Sequence, residues 1–480
     1  MFKSTKIVAT ISDKRCDVDF IRDLYNEGMN VVRMNSAHLQ QEGFLKIINN
    51  VRAVSNQIAI LMDTKGPEIR TTIAENDLIE LHTGELVKIV GNADLLSTRE
   101  CIAVNYPYFV RDLHVNDDIL FDDGEIDLKV ESKDENYLYC RVLNDGDLGS
   151  RKSVNVPGVR INLPSLTEKD KKNILFAIEN DIDFIAHSFV RNKQDLLEIQ
   201  TILDAHKSPI KIISKIENQE GVDNIDEILQ YTYGVMIARG DLGIEVGQEK
   251  IPGIQRRLIR KCVVAYKPVI VATQMLHTMI KNPRPTRAEI TDIANAIFYR
   301  TDALMLSGET AYGKYPVEAV RTMAKVAEEA EKTKLSENDI PINLTTNDTT
   351  SFLANAAVEA STQVGTKAII TDTYSGNTAL HLAAYRGTNP ILAICYHERS
   401  IRDLALSYGV FPVFQEEKGN TQQYFIEGLK GFIKNGVLQP HDFVCYLSGS
   451  FGEGFGTTFL EVNRVDKIFA SRGKYLLPNF

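Results

Sequence analysis

Short apolar runs of strand composition alternate with amphipathic windows along the first two thirds of the chain. One such window, residues 192–206, places Leu196, Ile199 and Leu203 at three- and four-residue spacing, as a helix requires. Eight strand–helix units in series predict a closed (β/α)₈ TIM barrel of the α/β class. The predicted strands are 6–11, 30–35, 58–64, 183–189, 210–217, 234–241, 268–274 and 303–309.

The alternation breaks once, between the third and fourth predicted strands. Residues 68–157 contain short segments of alternating apolar and polar residues, and Asp123-Gly124 between two of them predicts a hairpin. We interpret them as an inserted all-β domain, a β-barrel, within a catalytic barrel of residues 1–67 and 158–332. Active sites of this fold lie at the C-terminal ends of the strands, where the insertion leaves the barrel, so it is placed to act as a lid.

A second α/β series follows the barrel. Residues 333–348 are polar, lack an apolar period and predict a linker. Residues 349–480 then contain a helix near 350–364 and four predicted strands, which favour an open, mostly parallel sheet. Those strands are 366–373, 390–396, 409–414 and 442–449.

The amino-acid composition argues against several classes of protein. The formal net charge is −10, which argues against nucleic acid or an anionic membrane as a general partner because both demand clustered cationic charge. Six scattered cysteines form no CxxC pair and favour a reducing compartment. The N-terminal apolar stretch is too short for a signal peptide, and no run approaches the ~18 apolar residues of a membrane span. We expect a cytoplasmic protein.

Polar side chains end six of the eight predicted barrel strands. Lys215 and Glu217 end the fifth on one face, since a strand alternates faces with period two. Asp241 ends the sixth, so the two carboxylates are placed to share a hard divalent cation beside the lysine. That combination suits phosphate or enolate chemistry. The other strand ends carry Arg33, Asn35, Asp63, Thr64, Lys65, Ser188, Thr273 and Gln274.

Each of these residues has a simpler explanation when taken alone. A single charged strand end is usually solvated or ion-paired. Asp63 is also suited to the turn before Gly66-Pro67, and Thr273 to capping the helix that follows. His38 is either a phosphate donor or an ordinary loop residue. Convergence of the whole set on one end of one barrel favours a common site.

Seven strings of residues resemble those of a known family. They are DTKGPEIR (63–70), SKIEN (214–218), ARGDLG (238–243), ATQML (272–276), PRPTRAE (283–289), DIANAI (292–297) and MLSGETAYGKYP (305–316). With these strings, and over almost its whole length, the chain resembles the pyruvate kinases, in the same order of barrel, lid, barrel and C-terminal domain. The resemblance implies transfer of the phosphoryl group of phosphoenolpyruvate to ADP in the last step of glycolysis, leaving an enolate that is then protonated to pyruvate.

The resemblance also implies roles for individual residues. Lys215 matches the catalytic lysine that contacts the phosphoryl group in flight, and Arg33 the arginine that binds the phosphate. Thr273 matches the hydroxyl near the methylene carbon of the enolate, and the backbone amides of Gly240 and Asp241 the group that receives the substrate carboxylate. The residues that match those around the nucleotide are Asn35, His38, Arg70 and Lys152.

Two kinds of metal cofactor are implied in the same way. Glu217 and Asp241 match the ligands of Mg²⁺ or Mn²⁺. For K⁺, this chain departs from the family pattern at the serine ligand, because Ala37 stands there and Ser36 lies one place earlier. A shift of one residue normally turns a side chain to the other side of the backbone, so Ser36 is only a candidate ligand. The matching potassium ligands are Asn35, Asp63 and Thr64.

The C-terminal domain is implied to serve regulation and assembly, in a homotetramer. The string TYSGNTA at 373–379 resembles the family's phosphate loop and opens a helix, which points backbone N–H groups at an anion. Its partner loop, 448–458, carries Glu453 and no Lys or Arg, so a doubly phosphorylated sugar would find little positive charge. We expect a singly phosphorylated sugar or nucleotide effector, or none. The candidate effector residues are Thr373, Ser375, Gly376, Asn377 and Thr378.

Two other functions fit part of the residues. A metal-dependent lyase acting on pyruvate-type enolates needs Glu217 and Asp241 but neither the lid nor Lys215. The lid with Arg70 and Lys152 therefore favours the kinase. A non-catalytic sugar-phosphate sensor built on a decayed enzyme would not need the intact catalytic set.

Overall fold

The structure is a computed structural model that describes residues 3–37, 39–333, 338–343, 348–417, 421–449 and 456–472. The chain begins with three strands separated by two helices. Asp17 caps the first helix by accepting the backbone N–H of Phe20. These elements are β1 (Lys6–Thr10), α1 (Val18–Asn26), β2 (Val31–Asn35), α2 (Gln41–Val54) and β3 (Ala59–Asp63).

The inserted segment is built almost entirely of strands around one apolar core. Its elements are β4 (Leu78–Leu81), β5 (Leu86–Gly91), β6 (Cys101–Val104), α3 (Phe109–Asp112), β7 (Asp118–Phe121), β8 (Ile126–Lys133), β9 (Leu138–Val142), β10 (Gly146–Gly149) and β11 (Val154–Asn155). The turn at Asp123-Gly124 joins β7 and β8 as the predicted antiparallel hairpin. Six strands pair in the order β11-β7-β8-β9-β5-β6, while β4 and β10 pair with each other. The strands of this segment therefore pair in two sheets, and the β-barrel form of the inserted domain stays a prediction.

The chain then returns to complete the first barrel. Its strands are β12 (Phe184–His187), β13 (Lys211–Ile216), β14 (Gly234–Ala238), β15 (Val269–Ala272) and β16 (Ala303–Leu306). Its helices are α4 (Glu168–Glu179), α5 (Lys193–Ala205), α6 (Gln219–Asp223), α7 (Ile225–Tyr231), α8 (Arg239–Val246), α9 (Ile251–Val264), α10 (Arg287–Phe298), α11 (Gly308–Ala311) and α12 (Pro316–Lys332). The strand order β1-β16-β15-β14-β13-β12-β3-β2 closes on itself and confirms the (β/α)₈ barrel.

The barrel strands are continuous apolar runs because both of their faces are buried. In β2, Val31 packs in the barrel interior while Val32 packs against the outer helices. In β14, Met236 fills the interior and its neighbours Val235 and Ile237 face outwards into the helix layer. The interior is therefore a packed core, and polar groups gather only at the strand ends.

The C-terminal region forms the open sheet expected from the sequence, in the order β19-β18-β17-β20-β21. Its four parallel strands were all predicted, whereas the antiparallel edge strand β21 was not. Its strands are β17 (Ala368–Thr373), β18 (Ile391–Cys395), β19 (Val410–Phe414), β20 (Phe443–Ser448) and β21 (Phe459–Arg464). Its helices are α13 (Thr349–Val364), α14 (Asn377–Ala384), α15 (Glu398–Asp403), α16 (Thr421–Lys434) and α17 (Val465–Arg472).

Ion pairs join this sheet domain to the N-terminal end of the barrel. Arg402 Nε lies 2.6 Å from Asp183 Oδ1, just before β12, and Arg386 pairs with Asp302, just before β16. This contact leaves the opposite, C-terminal mouth of the barrel open to the lid. Within the predicted linker, residues 334–337 and 344–347 lie outside the described part of the chain.

A search of the described helices finds none with the length and apolar character needed to cross a membrane.

Candidate active site

The polar strand ends come together at the C-terminal mouth of the barrel. Asn35 and Asp63 are register partners in β2 and β3, and Arg33 Nε lies 3.1 Å from Asp63 Oδ2. Lys215 Nζ lies 3.4 Å from the same oxygen and 2.9 Å from Glu217 Oε1. Residues from three strands thus form one contiguous charged cluster. The side chain of Asp63 takes part in these ion pairs, so Asp63 does not serve only to form a turn.

The cluster is almost completely buried, with Asp63 2% and Glu217 1% exposed. Burial alone would lower the pKa of Lys215, but the carboxylates of Glu217 and Asp63 outweigh burial and raise it, so the side chain is a cation at neutral pH. Arg33 and Lys215 likewise hold the pKa of Asp63 below its usual range despite its burial. Burial raises the pKa of Glu217, Lys215 offsets part of the rise, and the nearby charge of Asp241 adds to it. Repulsion between the carboxylates of Glu217 and Asp241 favours the binding of a cation by the pair.

Asp241 lies in the first turn of α8 and not at the end of a strand. The strand β14 ends at Ala238, which corrects the sequence prediction of a strand that continues to 241. The chain turns helical because Leu242 and Val246, four residues apart, are both buried on one face. A carboxylate in the first turn of a helix is also favoured by the helix dipole.

Thr273 forms a backbone corner after β15. Its φ is +69°, in the left-handed region that costs a residue with a Cβ about 1–2 kcal/mol. Its Oγ1 donates to the carbonyl of Ala272 at 2.6 Å and accepts the Gly240 N–H at 2.8 Å. The short 3₁₀ helix that follows, His277–Ile280, has no side-chain cap, so Thr273 does not cap it. The Gly240 amide that we expected to bind a substrate carboxylate is therefore bonded to Thr273 in the free protein.

Arg239 braces this corner and was missed among the predicted site residues. Its Nη2 donates to the carbonyl of Thr273 at 2.8 Å, and its Nη1 lies 2.7 Å from Asp292 Oδ2. The strings ARGDLG and DIANAI are thus joined directly beneath Thr273. Sequence spacing carries no signal for this pair because the partners are 53 residues apart.

A cleft of about 860 Å³ lies between the lid and the barrel mouth. Arg70 lines it from the lid side, and Ser188 and Asp241 line it from the barrel. Lys152 does not reach the cleft, because its Nζ is held 2.5 Å from Asp122 Oδ2 within the lid. Of the predicted nucleotide residues, the structure brings Arg70 to the cleft but not Lys152, and His38 lies outside the described residues.

The candidate potassium ligands include two unsatisfied oxygens. Asp63 Oδ1 and Ser36 Oγ are both buried without a hydrogen-bond partner, a costly state that a bound cation would relieve. Ser36 is 0% exposed whereas Ala37 is exposed, so the serine that lies one place early keeps its hydroxyl inside. The side chains of Asn35 and Thr64 are already hydrogen-bonded. The donor set fits a cation that prefers oxygen ligands.

The predicted effector loop lies between β17 and α14. Gly376, at φ +86°, donates its N–H to Thr373 Oγ1 at 2.8 Å, so this hydroxyl shapes the turn. Thr378 Oγ1 lies 2.9 Å from Thr457 Oγ1, which links the loop to its partner loop. Residues 450–455 of that partner loop, with Glu453, lie outside the described residues.

A closed barrel, a lid and a mouth that holds two buried cations beside two carboxylates define a class of enzyme. Such a site is suited to bind and polarise anionic substrates. The class is that of the phosphate-transferring barrel enzymes.

Comparison with known proteins specifies the family. The family model described as "Pyruvate kinase, barrel domain" matches residues 2–320, and "Pyruvate kinase, alpha/beta domain" matches 351–462. A pyruvate kinase of Borreliella burgdorferi is 44% identical over 475 residues, covering 98% of this chain and 99% of the relative. One of Geobacillus stearothermophilus is 44% identical over 481 residues, covering 98% and 82%. A crystal structure of a pyruvate kinase from Cryptosporidium parvum matches with a TM-score of 0.90 at 35% identity over 96% of both chains. The chain belongs to the pyruvate kinase family and is a phosphotransferase.

Proposed function

We propose that the chain transfers the phosphoryl group of phosphoenolpyruvate to ADP, giving pyruvate and ATP. The observation that carries this proposal is the buried cluster in which Lys215 and Arg33 stand beside Asp63 and Glu217. Phosphoryl transfer asks the protein for in-line positioning and for positive charge on the equatorial oxygens of the phosphate. The two fixed cations provide that charge without reorganisation during the reaction.

The substrate carboxylate is assigned to the backbone N–H groups of Gly240 and Asp241, at the positive end of the α8 dipole. Binding there exchanges the Gly240–Thr273 bond for one to the substrate. The hydroxyl of Thr273 is then released beside the enolate. Because a hydroxyl is too weak an acid to protonate the enolate unaided, Thr273 orients a water molecule or a proton relay.

Two metal sites belong to the proposal. Glu217 and Asp241 would hold Mg²⁺ or Mn²⁺, and a bound divalent ion supplies positive charge to both the phosphoryl group and the enolate oxygen. In the described part of the chain, no group of three or more His, Cys, Asp or Glu side chains is arranged to hold a metal. Substrate oxygens and water must therefore complete the shell, as Mg²⁺ prefers. Potassium is assigned to Asn35, Ser36, Asp63 and Thr64.

The nucleotide is assigned to the cleft beside Arg70. Asn35 and His38 would contact it from the barrel, and Lys152 would join after exchanging its bond to Asp122. The limits of the lid stay as predicted, at 68–157.

Regulation and assembly form a further part of the proposal. We place a singly phosphorylated effector, if one binds, at the loop from Thr373 to Thr378, with Ser375, Gly376 and Asn377. The domain limits 1–67 and 158–332 for the barrel, 333–348 for the linker and 349–480 for the C-terminal domain are kept. The assembly is a homotetramer, on the resemblance to relatives.

A lactate dehydrogenase-coupled assay tests the function. Phosphoenolpyruvate, ADP, Mg²⁺ and K⁺ should give turnover that is lost without the divalent ion and reduced when a large organic cation replaces K⁺. Absence of turnover under the full conditions would refute the proposal. Pyruvate released without ADP would mean that water accepts the phosphoryl group and would contradict transfer to ADP. Full activity without K⁺ would refute the potassium site.

A further inference from the structure

We infer that Ser188 and Phe189, which form a corner directly after β12, position Lys215 and Glu217 for the reaction. This inference rests on the proposed function and adds two residues to it. The corner holds the lysine through a side-chain hydroxyl and the carboxylate through a backbone amide. Below, these two residues are called the Ser188–Phe189 corner.

The direction of each hydrogen bond at Ser188 is determined by its neighbours. Its hydroxyl donates to the carbonyl of Thr64 at 2.7 Å, and its backbone N–H donates to Thr64 Oγ1 at 3.0 Å. Since the hydroxyl has one hydrogen, Ser188 Oγ presents a lone pair to Lys215 Nζ, 2.8 Å away. Ser188 is 3% exposed, so water does not compete for that lone pair. Ser188 Oγ is therefore a neutral hydrogen-bond acceptor with a fixed orientation.

A neutral contact matters because the other partners of Lys215 are carboxylates. Among the described residues, Nζ has polar contacts with Ser188, Glu217 and Asp63. When cations bind Glu217 and Asp63, each carboxylate shares its charge with a metal and attracts the lysine less. Ser188 is then the one of these three contacts that is neutral and that is not itself assigned to a metal. It keeps Nζ where the transferring phosphoryl group must pass.

Phe189 holds the second catalytic group through its backbone. Its φ is +56°, a conformation that residues with a Cβ rarely adopt. In that conformation its N–H donates to Glu217 Oε2 at 2.7 Å, while Lys215 binds Oε1. The strained corner thus fixes the rotation of the carboxylate that we assign to the divalent ion.

The corner also contacts the chain that leads into the lid. A Cβ built on Gly66, whose φ is +70°, would lie 2.9 Å from Phe189 Cδ2 and 3.2 Å from Ser188 Cβ. Only glycine fits this position without displacing the corner. The segment that leads into the lid therefore packs directly against the residues that hold Lys215 and Glu217.

Ser188→Ala tests the first half of the inference, with Ser214→Ala as the matched control. Ser214 directly precedes Lys215, is 0% exposed and donates to Thr232 Oγ1 at 2.9 Å, but does not contact Nζ. We expect Ser188→Ala to lower kcat about ten- to one-hundredfold while KM for phosphoenolpyruvate stays within about threefold, as the loss of a hydrogen bond to a charged group predicts. Ser188→Cys should fall between serine and alanine, because sulfur is a weak acceptor.

Ser188→Ala removes two buried hydrogen bonds, to Thr64 and Lys215, and Ser214→Ala removes one. A loss of kcat in Ser188→Ala that far exceeds its extra loss of thermal stability over Ser214→Ala therefore separates positioning from folding. Unchanged kcat in Ser188→Ala, or a change in KM alone, would overturn the inference while leaving the proposed function intact. Lack of turnover in the unaltered protein would instead overturn the function itself.

Mn²⁺ binding in the absence of substrate, measured by electron paramagnetic resonance, tests the second half. Phe189→Gly keeps the N–H donor and accepts positive φ, so its affinity should stay within about twofold of the unaltered protein. Phe189→Val disfavours positive φ and should bind Mn²⁺ about tenfold more weakly. Equal affinities in the two variants would overturn the role of Phe189.

Discussion

Replacing Lys215 by Met separates catalysis from binding at the barrel mouth. The substitution keeps an unbranched side chain, one atom shorter, but removes a cation 2.9 Å from Glu217 Oε1 and 3.4 Å from Asp63 Oδ2. If the lysine acts on charge that develops during phosphoryl transfer, kcat should fall about 10²- to 10³-fold. The affinity for phosphoenolpyruvate should change little, because Arg33 and the α8 amides remain.

The same substitution leaves two buried carboxylates with fewer partners. Breaking a buried ion pair typically costs about 3–5 kcal/mol. Asp63 keeps Arg33 and Glu217 keeps the Phe189 N–H, so we expect a loss near the lower limit, about 3 kcal/mol of the free energy of unfolding. Lys215→Arg retains the charge and should be the more stable variant. Its planar guanidinium spreads the charge that the ammonium group of lysine concentrates at one point, so it should not restore full activity.

The assays follow from the composition. The chain has no tryptophan, so binding of phosphoenolpyruvate is better followed by titration calorimetry than by intrinsic fluorescence. The coupled assay gives kcat and KM, and urea unfolding gives stability. A Lys215→Met variant with unchanged kcat and raised KM would refute the reasoning, because that result marks an interaction made equally in ground and transition states.

Three further predictions concern the metal, acid stability and the domain contact. Asp241→Asn should raise the Mg²⁺ concentration for half-maximal activity at least about tenfold, and Glu245→Gln on the same helix should raise it less; equal shifts would contradict the metal assignment. Burial lowers the pKa of His187 from 6.5 to about 4, so the unfolded chain takes up its proton first as the pH falls. The free energy of unfolding that is present above pH 6.5 should therefore decline by about 3 kcal/mol towards pH 4. His187→Gln should flatten this part of the plot of urea midpoint against pH. An unaltered plot would show that His187 does not cause the decline. Arg402→Met removes one partner of Asp183, which is 0% exposed, and should cost about 2 kcal/mol in urea unfolding; an unchanged midpoint would contradict this.

The barrel was predictable because its strands are buried on both faces and therefore appear in the sequence as continuous apolar runs. Runs such as the one that contains Met236 leave no ambiguity about an interior element, and the polar residues that end these runs mark one rim. Asp241 was misplaced because Arg-Gly-Asp follows an apolar run without a break, while the helical spacing of Leu242 and Val246 appears only further along. Local pattern predicts an element better than it predicts where that element ends.

Other features depend on contacts that no local pattern encodes. Lys152 is held by Asp122 inside the lid, a pairing set by how the lid strands turn. The Ser188–Phe189 corner depends on a positive φ at an aromatic residue, for which sequence gives no signal. The strand β21 follows a glycine-rich loop and mixes polar with apolar residues, as an edge strand does. Its sequence therefore looks like a continuation of the loop.

The central claim is that the buried cluster at the barrel mouth moves a phosphoryl group directly from phosphoenolpyruvate to ADP. Phosphorus-31 NMR follows donor and acceptor together without a coupling enzyme. With Mg²⁺ and K⁺ present, the phosphoenolpyruvate resonance should be replaced mole for mole by the γ-phosphate of ATP, and Lys215→Met should leave it almost unchanged. Inorganic phosphate in place of ATP, or equal formation of ATP by Lys215→Met, would contradict the account.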